Sequence, residues 1–78
     1  MTRLSSVSSR QIIGALRKAG FTEAPDRGKG SHRAFTKTEP AGLVRLVIVR
    51  QGHDIPKGTL LAILEQSGLT RERFLDLL

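Results

Sequence analysis

Apolar residues recur every three or four positions near the start of the chain, which is the spacing of an amphipathic helix. The residues of this stripe are Ile12, Ile13, Leu16 and Ala19. Ser8 precedes the stripe and is followed three residues later by Gln11, the spacing of a capping box, and Gly20 follows as a helix stop. The pattern predicts a first helix from about Ser9 to Ala19.

The middle of the chain changes to shorter runs of β-branched and aromatic residues, which are typical of strands. We expect strands at 21–24, 32–37 and 43–49, with a turn at 26–30 between the first two. The third run is the most apolar of the three. It is therefore predicted to be the central strand of an antiparallel sheet.

Side chains alternate between the two sides of a strand, so each predicted strand separates into two sets. On the second strand His32 shares a side with Ala34, whereas Arg33 and Phe35 face the other way. On the third strand the set expected to face the helices is Val44, Leu46 and Ile48. The opposite set is Leu43, Arg45, Val47 and Val49, and Arg45 is expected to face solvent.

Helical spacing returns near the end of the chain, at Leu60, Ile63, Leu64 and Ser67. Gly68 is expected to end this helix, and Thr70 to cap a short last helix. The order predicts an α+β fold: helix, three-stranded antiparallel sheet, helix and short C-terminal helix, with the helices on one face of the sheet. Residues 1–7 are predicted to form a flexible N-terminal tail and residues 8–78 a single domain.

Length and composition exclude several classes of protein. A chain of 78 residues without cysteine has no disulfide framework and no thiolate nucleophile. Only His32 and His53 offer imidazoles, so a zinc site is not expected, nor any other metal or cofactor. There is no apolar run long enough to span a bilayer and no apolar signal segment, which predicts a soluble cytoplasmic protein that does not bind membranes.

The positive charge of the chain is unevenly distributed. Residues 1–50 contain ten Lys and Arg against three Asp and Glu, a net charge of +7, and residues 51–78 contain three against four, a net charge of −1. Such asymmetry favours a nucleic acid or an acidic protein as partner. The chain has three phenylalanines and no tyrosine or tryptophan, which argues against a single-strand binder that depends on base stacking.

The most chemically informative segment is Arg27-Gly28-Lys29-Gly30-Ser31-His32-Arg33, which places one histidine on a glycine-rich basic turn. A histidine side chain titrates near pH 6.5, so it can accept and return a proton at neutral pH. Gly30 allows close approach of the backbone to a ligand, and Arg27, Lys29, Ser31 and Arg33 are candidates to hold a phosphate. Lys29 is favoured over Arg33, which alternation places on the other side of the strand from His32. The alternative is a hairpin tip whose basic residues are simply solvated.

Four segments in this order resemble the HicA family of bacterial toxin ribonucleases. They are Leu16-Arg17-Lys18-Ala19-Gly20-Phe21, Gly28-Lys29-Gly30-Ser31-His32, Leu46-Val47-Ile48-Val49 followed by His53, and Lys57-Gly58-Thr59-Leu60 continuing to Ser67-Gly68-Leu69. The resemblance extends from Ser8 to Leu78. It implies a fold similar to double-stranded RNA-binding domains.

The resemblance also implies an activity and a partner. Family members cleave mRNA with the histidine of the Gly-Ser-His segment, here His32, and are held inactive by a HicB-type antitoxin. A monomer is therefore expected for the free protein and a hetero-oligomer for the complex with antitoxin. The family often has proline two residues before its second histidine, and this chain has Gln51 there, so a role for His53 is left open.

Two other functions are compatible with the sequence. A non-catalytic double-stranded RNA-binding domain would bind duplexes without cleaving them, but such domains usually have several lysines at the start of their second long helix and this chain has only Lys57. A basic protein-interaction module would bind an acidic protein and leave RNA intact.

Overall fold

The computed structural model describes residues 7–78 and contains three helices and three strands. The helices are α1 (Ser9–Lys18), α2 (Lys57–Ser67) and α3 (Arg71–Leu77). The strands are β1 (Thr22–Glu23), β2 (His32–Thr38) and β3 (Val44–Arg50), and a 3₁₀ turn (Pro25–Arg27) joins the first two. The predicted α+β order is confirmed.

Helix α1 begins at the capping box that the sequence predicted. The Gln11 backbone N–H donates to the Ser8 hydroxyl at 3.2 Å, and the Ser8 backbone N–H donates to the Gln11 side-chain oxygen at 3.0 Å. One side of the helix is buried, as its apolar spacing requires. The helix ends one residue before the predicted boundary because Ala19 forms its C-cap.

The sheet is antiparallel, but its central strand is β2 rather than β3. Strand order is β1-β2-β3, so the apolar third strand lies at an edge and its prediction as the central strand was wrong. Seven residue pairs join β2 to β3, beginning with His32 opposite Arg50 and ending with Thr38 opposite Val44. Two pairs join the shorter strand β1 to β2.

The prediction of which side of β3 faces the helices was also wrong. Val47 and Val49 are 0% and 1% exposed and belong to the core, whereas Val44 and Leu46 are 55% and 39% exposed. Both sides of this strand are apolar, so the alternation offered no contrast between a buried and a solvated face. Helices α1 and α2 contact β3 on the Val47 side, and within residues 7–78 no helix covers the other side of the sheet, the open face.

Arg45 lies on the helix-covered side rather than facing solvent alone, which corrects its predicted position. Its guanidinium forms an ion pair with Glu39 at 3.2 Å and is about one-third exposed. It also lies against Gly68, where an added Cβ would be 2.6 Å from the Arg45 guanidinium carbon. Gly68 has a φ of 75° and ends α2, as predicted.

Helices α1, α2 and α3 close the core over one face of the sheet, as predicted. The buried cluster contains Val7, Ile12, Ala15, Leu16, Phe21, Phe35, Val47, Val49, Ile55, Leu60, Ile63, Leu64, Phe74 and Leu77. Val7 is already part of this core, and its carbonyl accepts a hydrogen bond from the Ile55 N–H at 2.9 Å. Residues 1–6 of the predicted tail lie outside the described residues. No helix within residues 7–78 has the length and apolar character needed to cross a bilayer.

Candidate active site

His32 is the first residue of β2 and is positioned by the turn before it. The His32 backbone N–H donates to the Lys29 carbonyl at 3.0 Å, which closes a four-residue turn. Gly30 is the second residue of this turn and has a φ of 59°, a conformation that residues with a Cβ rarely adopt. The structure therefore joins four of the predicted site residues, Lys29, Gly30, Ser31 and His32, in one turn, the His32 turn.

Gly28 supports the same turn for a different reason. Its φ of −93° and ψ of 152° are ordinary extended values, so backbone conformation does not require glycine here. A Cβ at this position would lie 2.7 Å from the His32 carbonyl oxygen and 3.3 Å from the Ala34 nitrogen. The missing side chain allows the loop to pack directly against the beginning of β2.

The His32 side chain is exposed on the open face of the sheet, directly opposite Arg50 on β3. Residues opposite each other in an antiparallel pair have Cβ atoms about 4.5–5.5 Å apart, on the same side of the sheet. Arg50 is also exposed. An anion at His32 would thus meet a guanidinium that the sequence prediction did not include.

Ser31 and Arg27 belong to the chain segment that leads into His32, and both are exposed. The Ser31 carbonyl accepts a hydrogen bond from the Gln51 N–H at 2.9 Å, which extends the pairing of β2 and β3 by one step, and Ser31 itself is exposed. Arg27 ends the 3₁₀ turn and is exposed, as is Lys29. The segment that leads into His32 thus carries two exposed cations and one exposed hydroxyl.

Arg33 is not brought together with His32. It lies on the helix-covered side of β2, where its guanidinium donates to both carboxylate oxygens of Glu23 at 2.9 and 2.6 Å. The guanidinium is also 5.6 Å from the centre of the Phe35 ring. The hydrogen bond from Arg33, together with the charges of Arg33 and Arg17, lowers the pKa of Glu23, and the same hydrogen bond raises the pKa of Arg33.

His53, the second histidine, lies in the loop after β3. It is exposed and lines a cleft of about 330 Å³ beside the first turn of α1. Residues 7–78 contain no group of three or more His, Cys, Asp or Glu side chains that could hold a metal ion. The side chains of the predicted site residues and Arg50 are an imidazole, guanidinium groups, an ammonium group and a hydroxyl.

Comparison with known protein families identifies the family of this chain. The family model for the HicA toxin of bacterial toxin–antitoxin systems matches residues 9–69, from the first turn of α1 to just beyond α2. The chain belongs to the HicA toxin family. A search of curated proteins gave no match. The HicA match includes the whole His32 turn, Arg50 and His53, and membership implies an antitoxin partner.

Proposed function

We propose that this HicA protein is an endoribonuclease that cleaves mRNA in the cytoplasm, with His32 as its acid/base residue. The observation that supports it most directly is the exposed imidazole at a glycine turn, on a sheet face that none of the three described helices covers. Membership of a toxin family adds a reason for such an activity. The reaction requires no metal.

In the proposed reaction the RNA supplies its own nucleophile. The 2′-oxygen attacks the adjacent phosphorus, a 2′-O–P bond forms, and the bond from phosphorus to the 5′-oxygen breaks. When His32 begins neutral it accepts the proton of the 2′-hydroxyl, and water gives a proton to the departing 5′-oxygen; when it begins protonated it gives its proton to the 5′-oxygen, and water accepts that of the 2′-hydroxyl. In each case the imidazole performs one of the two proton transfers and solvent water the other.

Positive groups around His32 would stabilise the negative charge that develops on the phosphate oxygens. Arg50 faces the same side of the sheet as His32, and Lys29 belongs to the same turn. Arg27 adds a further cation, and the Ser31 hydroxyl adds a neutral donor. Arg33 serves no role at His32 in this proposal because its guanidinium lies on the opposite side and binds Glu23.

We further propose that a HicB-type antitoxin silences the enzyme by covering His32. The free toxin is a monomer in this proposal, and the silent form is a hetero-oligomer. Because His32 lies on the open face of the sheet, a protein can reach it without unfolding any element. RNA incubated with a preformed toxin–antitoxin complex should stay intact, and the same toxin freed from the complex should cleave it.

The decisive test of the histidine is His32→Ala. We expect cleavage of a defined RNA to fall by a factor of about 10²–10⁴, the usual contribution of one positioned acid/base group. Because His32 is exposed, the midpoint of thermal unfolding should stay close to that of the wild type, and this measurement is the control for folding. Full activity in a folded His32→Ala protein would refute the assignment.

The ends of the products test the mechanism independently of the variant. Attack by the 2′-oxygen leaves a 2′,3′-cyclic phosphate on one fragment and a 5′-hydroxyl on the other, and excess EDTA should not prevent it. DNA of the same sequence should stay intact because it lacks the nucleophile. Cleavage that requires Mg²⁺ and leaves 5′-phosphates would indicate metal-assisted hydrolysis instead. Tight binding of duplex RNA without cleavage would favour the non-catalytic binding domain.

A further inference from the structure

Three neighbouring clefts meet at Gln51, beside the end of β3. The first, of about 310 Å³, is lined by Arg10 and Arg33 among others, and the second, of about 330 Å³, by Arg10 and His53. The third, of about 210 Å³, begins at Arg50. Gln51 lines all three, and we refer to them together as the Gln51 groove, whose lining includes residues of the first turn of α1 at one end and Arg50 at the other.

The walls of the Gln51 groove are held together by hydrogen bonds between distant parts of the chain. The Ser9 N–H and the Ser9 hydroxyl both donate to the Gly52 carbonyl, at 2.9 and 3.1 Å, and the Gly52 N–H donates back to the Ser9 hydroxyl at 3.1 Å. The loop after β3 is thereby fixed against the beginning of α1. The lining of the groove is therefore held in place by hydrogen bonds of the fold.

The charge of the groove favours an anion. Arg10, Arg33, Arg50 and His53 line it, and among residues 7–78 the one carboxylate in its lining is that of Asp54. The ion pairs formed within residues 7–78 involve Arg17, Arg33 and Arg45, which leaves Arg10 and Arg50 free to bind a ligand. A polymer with a negative charge at each unit would meet one arginine at either end of the groove.

One end of the groove adjoins the proposed catalytic histidine. Arg50 is the residue opposite His32, and the Gln51 N–H is bonded to the carbonyl of Ser31, the residue before it. We propose that the Gln51 groove binds the sugar-phosphate backbone of the RNA strand on one side of the scissile link, with Arg10 contacting a phosphate remote from the reaction. This inference rests on the proposed ribonuclease function and adds to it a binding subsite for single-stranded RNA.

The test measures binding apart from cleavage. A fluorescent hexaribonucleotide is titrated against the His32→Ala protein, and then against the same protein with Arg10→Gln added. Because Arg10 is exposed, its replacement should leave the fold unchanged. We expect Kd to rise about tenfold at low salt, as for a lost charged hydrogen bond, and the slope of log Kd against log salt to fall by about 0.7. Arg71→Gln is the matched control, because Arg71 is an exposed arginine that lines none of the three clefts.

The outcomes separate this inference from the function on which it rests. If Arg10→Gln and Arg71→Gln raise Kd equally, or neither raises it, the proposed binding of RNA in the groove is refuted, even if the wild-type protein cleaves RNA. Arg10-dependent binding of a polyglutamate peptide together with no RNA binding also overturns it, in favour of a protein ligand. Arg10-dependent RNA binding by a wild-type protein that cleaves no RNA supports the groove and refutes the ribonuclease.

Discussion

At the scale of single residues, two neighbouring glycines support His32 through different physical requirements. Gly30 provides a positive φ in the turn, with nothing within 4 Å of the position where a Cβ would be. Gly28 has an ordinary backbone conformation, and instead leaves room for the His32 carbonyl. The sequence displays both glycines but does not distinguish between these two roles.

Gly28→Ala should therefore lower activity by displacing the beginning of β2. A Cβ at 2.7 Å from the His32 carbonyl oxygen is closer than van der Waals contact allows, so the backbone must shift by several tenths of an ångström. We expect kcat to fall between about 10-fold and 100-fold with a smaller change in KM, because misplacement of about 1 Å costs up to 10²-fold.

Gly14→Ala is the matched control for Gly28→Ala. A Cβ at Gly14 has no neighbour within 4 Å, and alanine favours the helix in which this residue lies. Both rates and unfolding midpoints are measured for the two variants. Unchanged kcat in a folded Gly28→Ala protein would show that the position of His32 tolerates the added methyl group.

At the scale of elements, β3 is the strand that the sequence described least well. Its two sides are both apolar, and only packing decides that Val47 is buried while Val44 is 55% exposed. The same packing places Arg50 on the open face, opposite His32. The orientation of one strand thus determines both the core and the composition of the candidate active site.

Two identical substitutions on β3 measure this orientation. Val47→Ala removes buried methyl groups, so we expect the free energy of unfolding to fall by about 2 kcal/mol. Val44→Ala, on the open face of the same strand, should lower it by less than about 1 kcal/mol. Urea denaturation measures both values. Equal losses would mean that the two sides of β3 are equally buried in solution.

A second link between elements connects β1 with β2 and α1 through Glu23. Its carboxylate binds Arg33 of β2 and Arg17 of α1, at 2.6 and 3.4 Å, and these contacts hold the pKa of Glu23 below its ordinary value of 4.5. A carboxylate with a lowered pKa stabilises the folded state above the unfolded-state pKa. That contribution is lost as the pH falls through the folded-state pKa.

Glu23→Gln should consequently destabilise the protein at pH 7 and not at strongly acidic pH. The difference in unfolding free energy between wild type and variant should be constant above about pH 5 and shrink as the pH falls below 4.5. Glu65→Gln, which removes the same charge from the exposed surface of α2, is the matched control. A difference that persists unchanged to pH 2 would show that the ion pairs are not its source.

At the scale of the whole molecule, the excess of positive charge belongs to the part of the chain that builds the site. Residues 7–50, which contain α1, the His32 turn and the sheet, have nine Lys and Arg against three Asp and Glu, a net charge of +6, whereas residues 51–78 have a net charge of −1. The electrostatic field of this uneven charge attracts a polyanion towards the sheet and α1 rather than towards α2 and α3.

Added salt should therefore weaken the binding of RNA and leave the rate of the chemical step nearly unchanged. We expect KM for an oligoribonucleotide to rise several-fold between 50 and 200 mM salt, because each phosphate contact on a single strand adds about 0.7 to the salt slope. The value of kcat should change little, since His32 and the scissile link are already in contact in the complex. A KM that is independent of salt would contradict a substrate held by its phosphates.

Much of this protein could be predicted because the relevant signals are local. Capping residues, apolar spacing and glycine positions predicted α1, the approximate extent of each strand and the C-terminal end of α2. The His32 turn was equally visible, since its residues are consecutive. Arg50 was missed because it lies 18 positions from His32, and hairpin register depends on the whole β2–β3 pairing.

The sequence by itself determined the order of helices and strands, the basic glycine turn and the single histidine within it, because each depends on interactions between near neighbours in the chain. Only the tertiary structure decided that β3 is an edge strand, which of its apolar sides is buried, and that Arg50 faces His32 while Arg33 binds Glu23. These features depend on which surfaces the helices cover. Burying either apolar side of such a strand is favourable. Which side is buried is decided only when all the elements pack together.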